Sequence, residues 1–321
     1  MKEIIQKAIE PKIYAYTTPQ YKNLLWQGKK EGKGLLKVGY TEKDVEQRVK
    51  EQFSTKRPES SPFEILLNES AVDDGGKFFT DHIVHKKLEE KGFKRVAGEW
   101  FECSVDDLKS VILEIKMGVV ISDNRCQNFN LRPEQQEAVN ITAKYFKKYS
   151  KEKEGVPPHF LWNAKMRFGK TFASYKLAQK MKWTKIIVLT YKPAVQSAWK
   201  EDLESHIDFQ GWQFIDKWHS FDEIDEARPF VWFISFQDIL GKTKDKKIKR
   251  RLKKAYEIEW DSVIIDEYHF GAWREAAKDL YDSETGIEAG LDEKLEEEFK
   301  EESFPLKANH FLYLSGTPFR A

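Results

Sequence analysis

Two stretches of this chain carry residues suited to handling phosphate. "HFLWNAKMRFGKTFASYKLAQKM" reads as an apolar strand, a tight loop and a helix, and the loop closes on Gly169, Lys170 and Thr171. A loop of this kind turns backbone N–H groups and a helix N-terminus toward phosphate oxygens. Its lysine reaches the terminal phosphates and its hydroxyl holds Mg²⁺. The spacing through Ala164, Lys165, Met166, Arg167 and Phe168 fits, with alanine in place of the first glycine. Further on, "DSVIIDEYH" is an apolar strand that ends in two carboxylates. Asp266, at the strand's end, can hold the coordination shell of Mg²⁺. Glu267 can orient and deprotonate an attacking water, because phosphoryl transfer mostly needs positioning and charge neutralisation. A second "GKT" at Gly241–Thr243 has neither the preceding loop nor a strand-turn-helix around it, and reads as a surface coincidence.

A different set of residues lies near the N-terminus. Tyr14 and Tyr16 fall on one face of an alternating strand. Arg48 sits at the edge of the Val45/Val49 face of a helix. Phe78, Asp81, His85 and Leu88 share a stripe at helical spacing. A carboxylate and a histidine on a partly apolar face need a reason. One reading is an Asp–His hydrogen bond at the surface. The other is a metal-binding carboxylate beside a general acid/base.

The elements that must position these residues divide the chain. Up to residue 118, short strands ("KIYAYT", "GLLKVGY", "GEWFEC") mix with helices. "TEKDVEQRVKEQF" opens on Thr41 with Asp44 three residues later, a capping-box-like start. "KFFTDHIVHKKLEEKG" reads as a helix stopped by Gly92, and "SVDDLKSVILEIKMG" as the closing helix. Residues 119–130 form a polar joint. From residue 131 to 321, continuous apolar strands ("HFLWNA", "TKIIVLTY", "PFVWFISF", "DSVIIDE", "HFLYLSGT") alternate with helical stretches. That pattern predicts a parallel sheet covered on both faces. The expected class is α/β: a small mixed α+β domain, a linker, and a parallel-sheet phosphate-loop domain.

Composition narrows the setting. The net charge is +1, so no global field draws the chain to nucleic acid, and any such surface must be local. The basic run at 242–254 and the acidic run at 288–302 read as solvated faces. Two cysteines without metal-type spacing argue for a reducing compartment. There is no apolar run near the roughly 20 residues of a membrane span, and no signal-peptide core. A cytoplasmic protein without a membrane partner is expected.

Taken in order, the motifs of residues 131–321 resemble the first RecA-like domain of superfamily 2 helicases and translocases, in the DEAH-box-like branch found in restriction enzymes. "LRPEQQEAV" resembles the adenine-reading glutamine motif, with Gln135 at the matching position. "AKMRFGKT" is similar to Walker A and "TYKPAVQSAWKEDL" to motif Ia. "ISFQ" resembles the strand-end motif that follows, "DEYH" the DEAH box and "LSGTPFR" motif III. The resemblance implies binding of ATP with Mg²⁺. It also implies a second RecA-like domain or a subunit that supplies arginine fingers, since the chain ends at Ala321, directly after this motif.

Residues 12–103 resemble the GIY-YIG nuclease superfamily, in the branch found in phage-related proteins. "KIY" stands where "GIY" is expected and keeps Tyr14. "KVG" stands for "YIG", so Lys37 takes the tyrosine position and Gly39 is kept. Arg48 matches the catalytic arginine. Asp81 occupies the place of the metal-binding glutamate, with His85 one turn on. The resemblance implies Mg²⁺ on Asp81, with Mn²⁺ as a substitute, a tyrosine assisting the attacking water, and arginine stabilising phosphate charge. The function expected is an ATP-dependent DNA helicase or translocase fused to a metal-dependent endonuclease, in restriction or phage defence. Two alternatives stand beside it: a helicase whose N-terminal domain only grips DNA, and an ATP-gated interaction module with no activity of its own.

Overall fold

The computed structural model describes residues 10–53, 62–121, 125–152, 155–165, 167–190, 193–219, 221–240, 252–267 and 306–316. The chain divides into two compact units, residues 1–128 with 205–210, and residues 129–204 with 211–321.

The first unit contains β1 (Lys12–Thr17), β2 (Leu36–Thr41), α1 (Val45–Gln52), β3 (Glu64–Ser70), α2 (Asp81–Glu90), β4 (Arg95–Ala97), β5 (Trp100–Phe101) and α3 (Val105–Met117). The strands form one antiparallel sheet in the order β3-β1-β2-β5-β4. Alternation along β1 sends Ile13 and Ala15 to one face, where they pack with Val84 and Leu88 of α2 and Leu108 and Val111 of α3. It sends Tyr14 and Tyr16 to the other, where they meet Val45 and Val49 of α1. The sheet thus separates α1 from α2.

Local signals set the helix ends, not always where the sequence pattern puts them. The N-cap of α1 is Asp44, whose side chain accepts from Gln47 N, so this helix begins after the expected Thr41. Similarly, α2 begins at Asp81, and Phe78 lies before it in an isolated bridge to Val72. Phe78 therefore cannot share a helical stripe with Asp81. α3 has the full capping box of Ser104 with Asp107, and ends on Gly118 at φ 65.

The second unit runs α4 (Pro133–Glu152), β6 (His159–Asn163), α5 (Lys170–Met181), β7 (Lys185–Thr190), α6 (Gln196–Ser205), β8 (Gln213–Ile215), β9 (Phe230–Ser235), α7 (Phe236–Leu240), α8 (Lys253–Glu257), β10 (Ser262–Asp266) and β11 (Phe311–Ser315). Among the described residues its six strands are all parallel, in the order β6-β11-β10-β7-β9-β8. Every residue of β9, β10 and β11 is buried, as strands covered on both faces require. Trp260 is fully buried, edge-on to Phe230 and Trp232. Burying one large apolar side chain contributes ~1.5–3 kcal/mol, so this cluster anchors β9 and β10 beneath the carboxylate end of the sheet. The class is α/β, with a RecA-like parallel sheet in one unit and a mixed α+β antiparallel sheet in the other. Among the described residues, no helix is long and apolar enough to cross a membrane.

Candidate functional site

In the second unit the phosphate-type loop connects β6 to α5. Ala164 is buried, and its N–H donates to Ser315 O of β11 at 2.9 Å. Arg167 takes φ 65, and Gly169, the N-cap of α5, takes φ 78. Gly169 is required twice over: by this left-handed conformation, and because a Cβ there would lie 2.5 Å from Gln135 Nε2. Lys165 and Arg167 are exposed and Phe168 is half-buried. Met166 lies outside the described residues.

The loop is held from below by the start of α4. Gln135 is buried, its Nε2 donating to Phe168 O at 2.6 Å and its Oε1 accepting from Arg132 N at 2.8 Å. Arg132 Nη2 donates to Arg167 O at 2.9 Å and also to Phe168 O. A carboxamide has two donors and two lone pairs. Gln135 therefore keeps one of each for a further partner while bracing the loop.

Lys170 projects from the start of α5 toward the end of β10. Its Nζ lies 3.9 Å from Asp266 Oδ1 and 3.7 Å from Glu267 Oε1. Gly316, just past β11, lets the lysine pass, since a Cβ there would come within 3.2 Å of Nζ. Thr171 follows on α5 and is half-buried. Glu267 adopts φ 59, a left-handed turn uncommon outside glycine, directly after the strand. Burial pushes the Asp266 carboxyl above its usual range. A hydrogen bond from Trp199 Nε1 at 2.8 Å and the Lys170 charge pull the other way. The remaining motif residues Tyr191, Lys192, Tyr268, His269 and Thr317–Arg320 lie outside the described residues, as do 242–251 of the basic run and all of the acidic run.

In the first unit, Tyr14, Lys37 and Arg48 gather on the α1 face around a residue that the sequence reading passed over, Gln52. Its Nε2 donates to Tyr14 Oη at 2.7 Å. Its Oε1 accepts from Lys37 Nζ at 2.6 Å and from Tyr16 Oη at 2.8 Å. Lys37 also pairs with Glu99 at 3.3 Å. The ammonium can only donate, so it fixes which end of the carboxamide faces it. Tyr14 then receives the amide N–H, and its own hydroxyl proton points elsewhere. Burial raises the Tyr14 phenol, while Gln52 and the nearby Arg48 guanidinium act against that. Arg48 Nη1 lies 3.8 Å from Glu51 Oε2.

Asp81 and His85 belong to the other face. Asp81 opens α2, half-buried, close enough for its charge to add to the burial and Glu42 effects that raise the Tyr40 phenol. The sequence offers His85 as an acid/base beside Asp81 or as part of a surface Asp–His hydrogen bond; in the structure the side chain is buried. Its ring is buried against Phe101, Nε2 meets Val38 O at 2.9 Å, and Nδ1 lies 3.5 Å from Arg95 Nη2. The Val84/Leu88 stripe that docks α2 on the sheet carries His85 in with it. Among the described residues, no three His, Cys, Asp or Glu side chains are grouped to hold a metal. That is compatible with Mg²⁺, which is commonly bound by one or two carboxylates plus substrate phosphates.

Gln52 carried no motif signal, and Trp199, though inside the stretch that resembles motif Ia, carried no role there. Gln52 closes α1 one turn after Arg48, and only the fold brings it under Tyr14. Trp199 lies inside the "QSAWKEDL" helix, where a buried tryptophan reads as core.

Comparison with known proteins adds to this geometry. Residues 12–116 match the T5orf172 domain, and residues 128–320 match the type III restriction enzyme, res subunit. A Mycoplasma pneumoniae protein named "Putative type II restriction enzyme and methyltransferase RM.MpnORF110P C-terminus" is 32% identical over 209 residues, covering 59% of this chain. The chain spans 28% of that relative's length. Among solved structures, the Sulfolobus solfataricus SWI2/SNF2 ATPase core in complex with dsDNA is similar at 19% identity and a TM-score of 0.38. That match covers 62% of this chain and 34% of the other. A nuclease-deletion mutant of the type ISP restriction-modification enzyme LlaGI, in complex with a DNA substrate mimic, is similar at 18% identity and a TM-score of 0.34, covering 59% and 18%. The match over residues 128–320 takes in more than half of the chain, and the protein belongs to the family of the type III restriction enzyme res subunit.

Proposed function

We propose that the chain carries an ATP-dependent DNA helicase or translocase domain fused to a metal-dependent GIY-YIG-type endonuclease domain, acting in restriction or phage defence. The observation that carries the motor reading is Lys170, set between the phosphate-type loop and the two carboxylates of Asp266 and Glu267. A lysine and two carboxylates at a helix N-terminus suit a nucleotide's phosphates and a hard cation. The phosphate cradle is the loop from Ala164 through Lys165, Met166, Arg167 and Phe168 to Gly169, with Lys170 on the terminal phosphates. Gln135 is in reach of the loop's base and is assigned to the adenine. The Thr171 hydroxyl and Asp266 are assigned to Mg²⁺, which supplies charge neutralisation at the phosphates when bound. Glu267 orients the water and takes its proton. Arginine fingers come from a second RecA-like domain or subunit.

In the N-terminal unit, Tyr14 assists the attacking water, Arg48 and Lys37 meet the phosphate charge, and Asp81 holds the metal ion. His85 fixes α2 to β2. A second reading, a DNA clamp without cleavage, draws on two observations. Lys37 is tied to Gln52 and Glu99, and Asp81 stands on the helix packed behind the sheet. One experiment separates the two. Supercoiled plasmid is incubated with the protein and Mg²⁺ or Mn²⁺, with and without ATP. Metal-dependent nicking that disappears in both Arg48→Ala and Asp81→Ala supports the nuclease. Plasmid that is bound and left intact under every condition leaves the clamp.

A further inference from the structure

Asp266 is held by a residue to which none of the matched motifs assigns a role. Trp199, on α6, is fully buried and donates its indole N–H to Asp266 Oδ2 at 2.8 Å. Its backbone carbonyl accepts the phenol proton of Tyr175 at 2.8 Å, and the two rings meet edge to face, 5.3 Å apart at 90°. Tyr175 is itself fully buried on α5, the helix that begins with Lys170 and Thr171. The other carboxylate oxygen, Oδ1, accepts from Glu267 N at 2.9 Å and faces Lys170 Nζ.

The two oxygens are therefore not equivalent. An indole nitrogen is a donor only, so its bond to Oδ2 fixes the rotation of the carboxylate. It commits one oxygen to the protein interior and leaves Oδ1 on the side of the lysine. A buried carboxylate oxygen without such a donor would be left unsatisfied, which burial penalises. Phenylalanine would fill most of the same space and pack against Tyr175, but would make no such bond.

We propose that Trp199 is a positioning residue for Mg²⁺: its N–H holds Oδ2 so that Asp266 presents Oδ1 to the cation at the nucleotide phosphates. The inference rests on the phosphate-site reading of Lys170, Thr171 and Asp266. Partners that orient a metal-binding carboxylate typically carry 10–100-fold in metal affinity.

The test is calorimetry of the 321-residue chain with a non-hydrolysable ATP analogue, first in EDTA and then across a Mg²⁺ series. Trp199→Phe is expected to bind the metal-free analogue within about two-fold of wild type, while the Mg²⁺ midpoint rises about ten-fold or more. Tyr175→Phe keeps the indole N–H. It is expected to lower the melting temperature and leave the Mg²⁺ midpoint in place. A wild-type midpoint in Trp199→Phe overturns the proposal, and so does an equal shift in Tyr175→Phe, which would mean general loosening. A wild-type chain that binds no nucleotide refutes the phosphate-site reading itself, and the inference falls with it. If Trp199→Phe does not fold, the indole N–H spectrum of ¹⁵N-labelled wild type is compared with that of Asp266→Ala. One strongly shifted indole resonance that also responds to Mg²⁺ with nucleotide supports the role, and a spectrum indifferent to Asp266→Ala overturns it.

Discussion

Tyr14 lies over Gly39: the two residues are partners across β1 and β2, and a Cβ at position 39 would come within 2.6 Å of the phenol oxygen and 2.7 Å of the ring carbon that bears it. Glycine is needed here for close approach, since its backbone is not in the left-handed region. Gly39→Ala must push the ring off its seat and stretch its bond from Gln52. The expected cost is about 1–3 kcal/mol, the usual range for overpacking, seen as a lower denaturant midpoint. Loss of nicking should accompany it if Tyr14 assists cleavage.

Gln52 serves three partners, so its removal should exceed the effect of one hydrogen bond. Gln52→Leu keeps the volume and leaves Tyr14, Tyr16 and Lys37 without their shared carboxamide. We expect a loss of ~1–3 kcal/mol in urea unfolding. A double-mutant cycle with Lys37→Met should show coupling of at least ~0.5 kcal/mol; strict additivity would mean that the two side chains act separately.

Lys170→Ala removes the cation between Asp266 and Glu267. Charged hydrogen bonds contribute ~1.5–3 kcal/mol each, so affinity for a non-hydrolysable ATP analogue should fall by at least roughly ten-fold. Calorimetry reads this directly, and unchanged affinity would remove the lysine from the phosphate site.

Glu267→Gln keeps the shape of the side chain and loses its basicity. In a chain that includes a second RecA-like domain, Mg²⁺ and ATP binding should persist while turnover drops by two orders of magnitude or more, the scale of general-base loss. Turnover at the wild-type rate would place the proton elsewhere.

Asp202, on α6, has its carboxyl pushed up to about 6, chiefly by burial, with Glu201 adding and a backbone bond from Phe172 opposing. Its folded pKa exceeds the unfolded value of about 3.8. The folded state therefore binds more protons between these values, and stability falls as pH rises through that window. Well below pH 3.8 both states are protonated and the penalty vanishes. Asp202→Asn should stabilise the protein by about 1–2 kcal/mol above pH 6, after allowance for partial exposure, and should give no such gain at pH 3.5. Melting temperatures of both proteins across pH 3.5–8 test this; a pH-independent difference would show that the charge is not the cause.

The parts of this molecule that could be read from sequence are those in which chemistry follows from neighbours along the chain. The loop ending in Gly169, Lys170 and Thr171 is local, and so is a carboxylate pair at the end of an apolar strand. The α/β class followed from continuous apolar runs, which only a sheet covered on both faces tolerates. What could not be read depends on elements meeting in space. The 3.6-residue period places Asp81 and His85 near one stripe, but cannot say that the Val84/Leu88 side docks on the sheet and carries the histidine inward. Gln52 looks like any polar residue at the end of a short helix until Tyr14 and Lys37 arrive from two strands. Trp199 looks like core, and it is core, apart from a single N–H that points at Asp266.

The strand order has a consequence in time. Lys170 follows β6 and Asp266 ends β10, yet these strands do not touch: β11 lies between them, and it is the last of the six to be synthesised. Among the described residues, β6 pairs in the sheet only with β11, so on a ribosome that pairing waits until residues 311–315 emerge. Until then the N–H and C=O groups on that edge of β6 stand unpaired, open to other chains or to a chaperone. Closure of that gap joins residues about 150 apart in sequence, a slow kind of contact to form. The proposed nucleotide site is thus assembled late in synthesis, and a nascent chain halted before β11 would carry both halves of it without the strand that joins them.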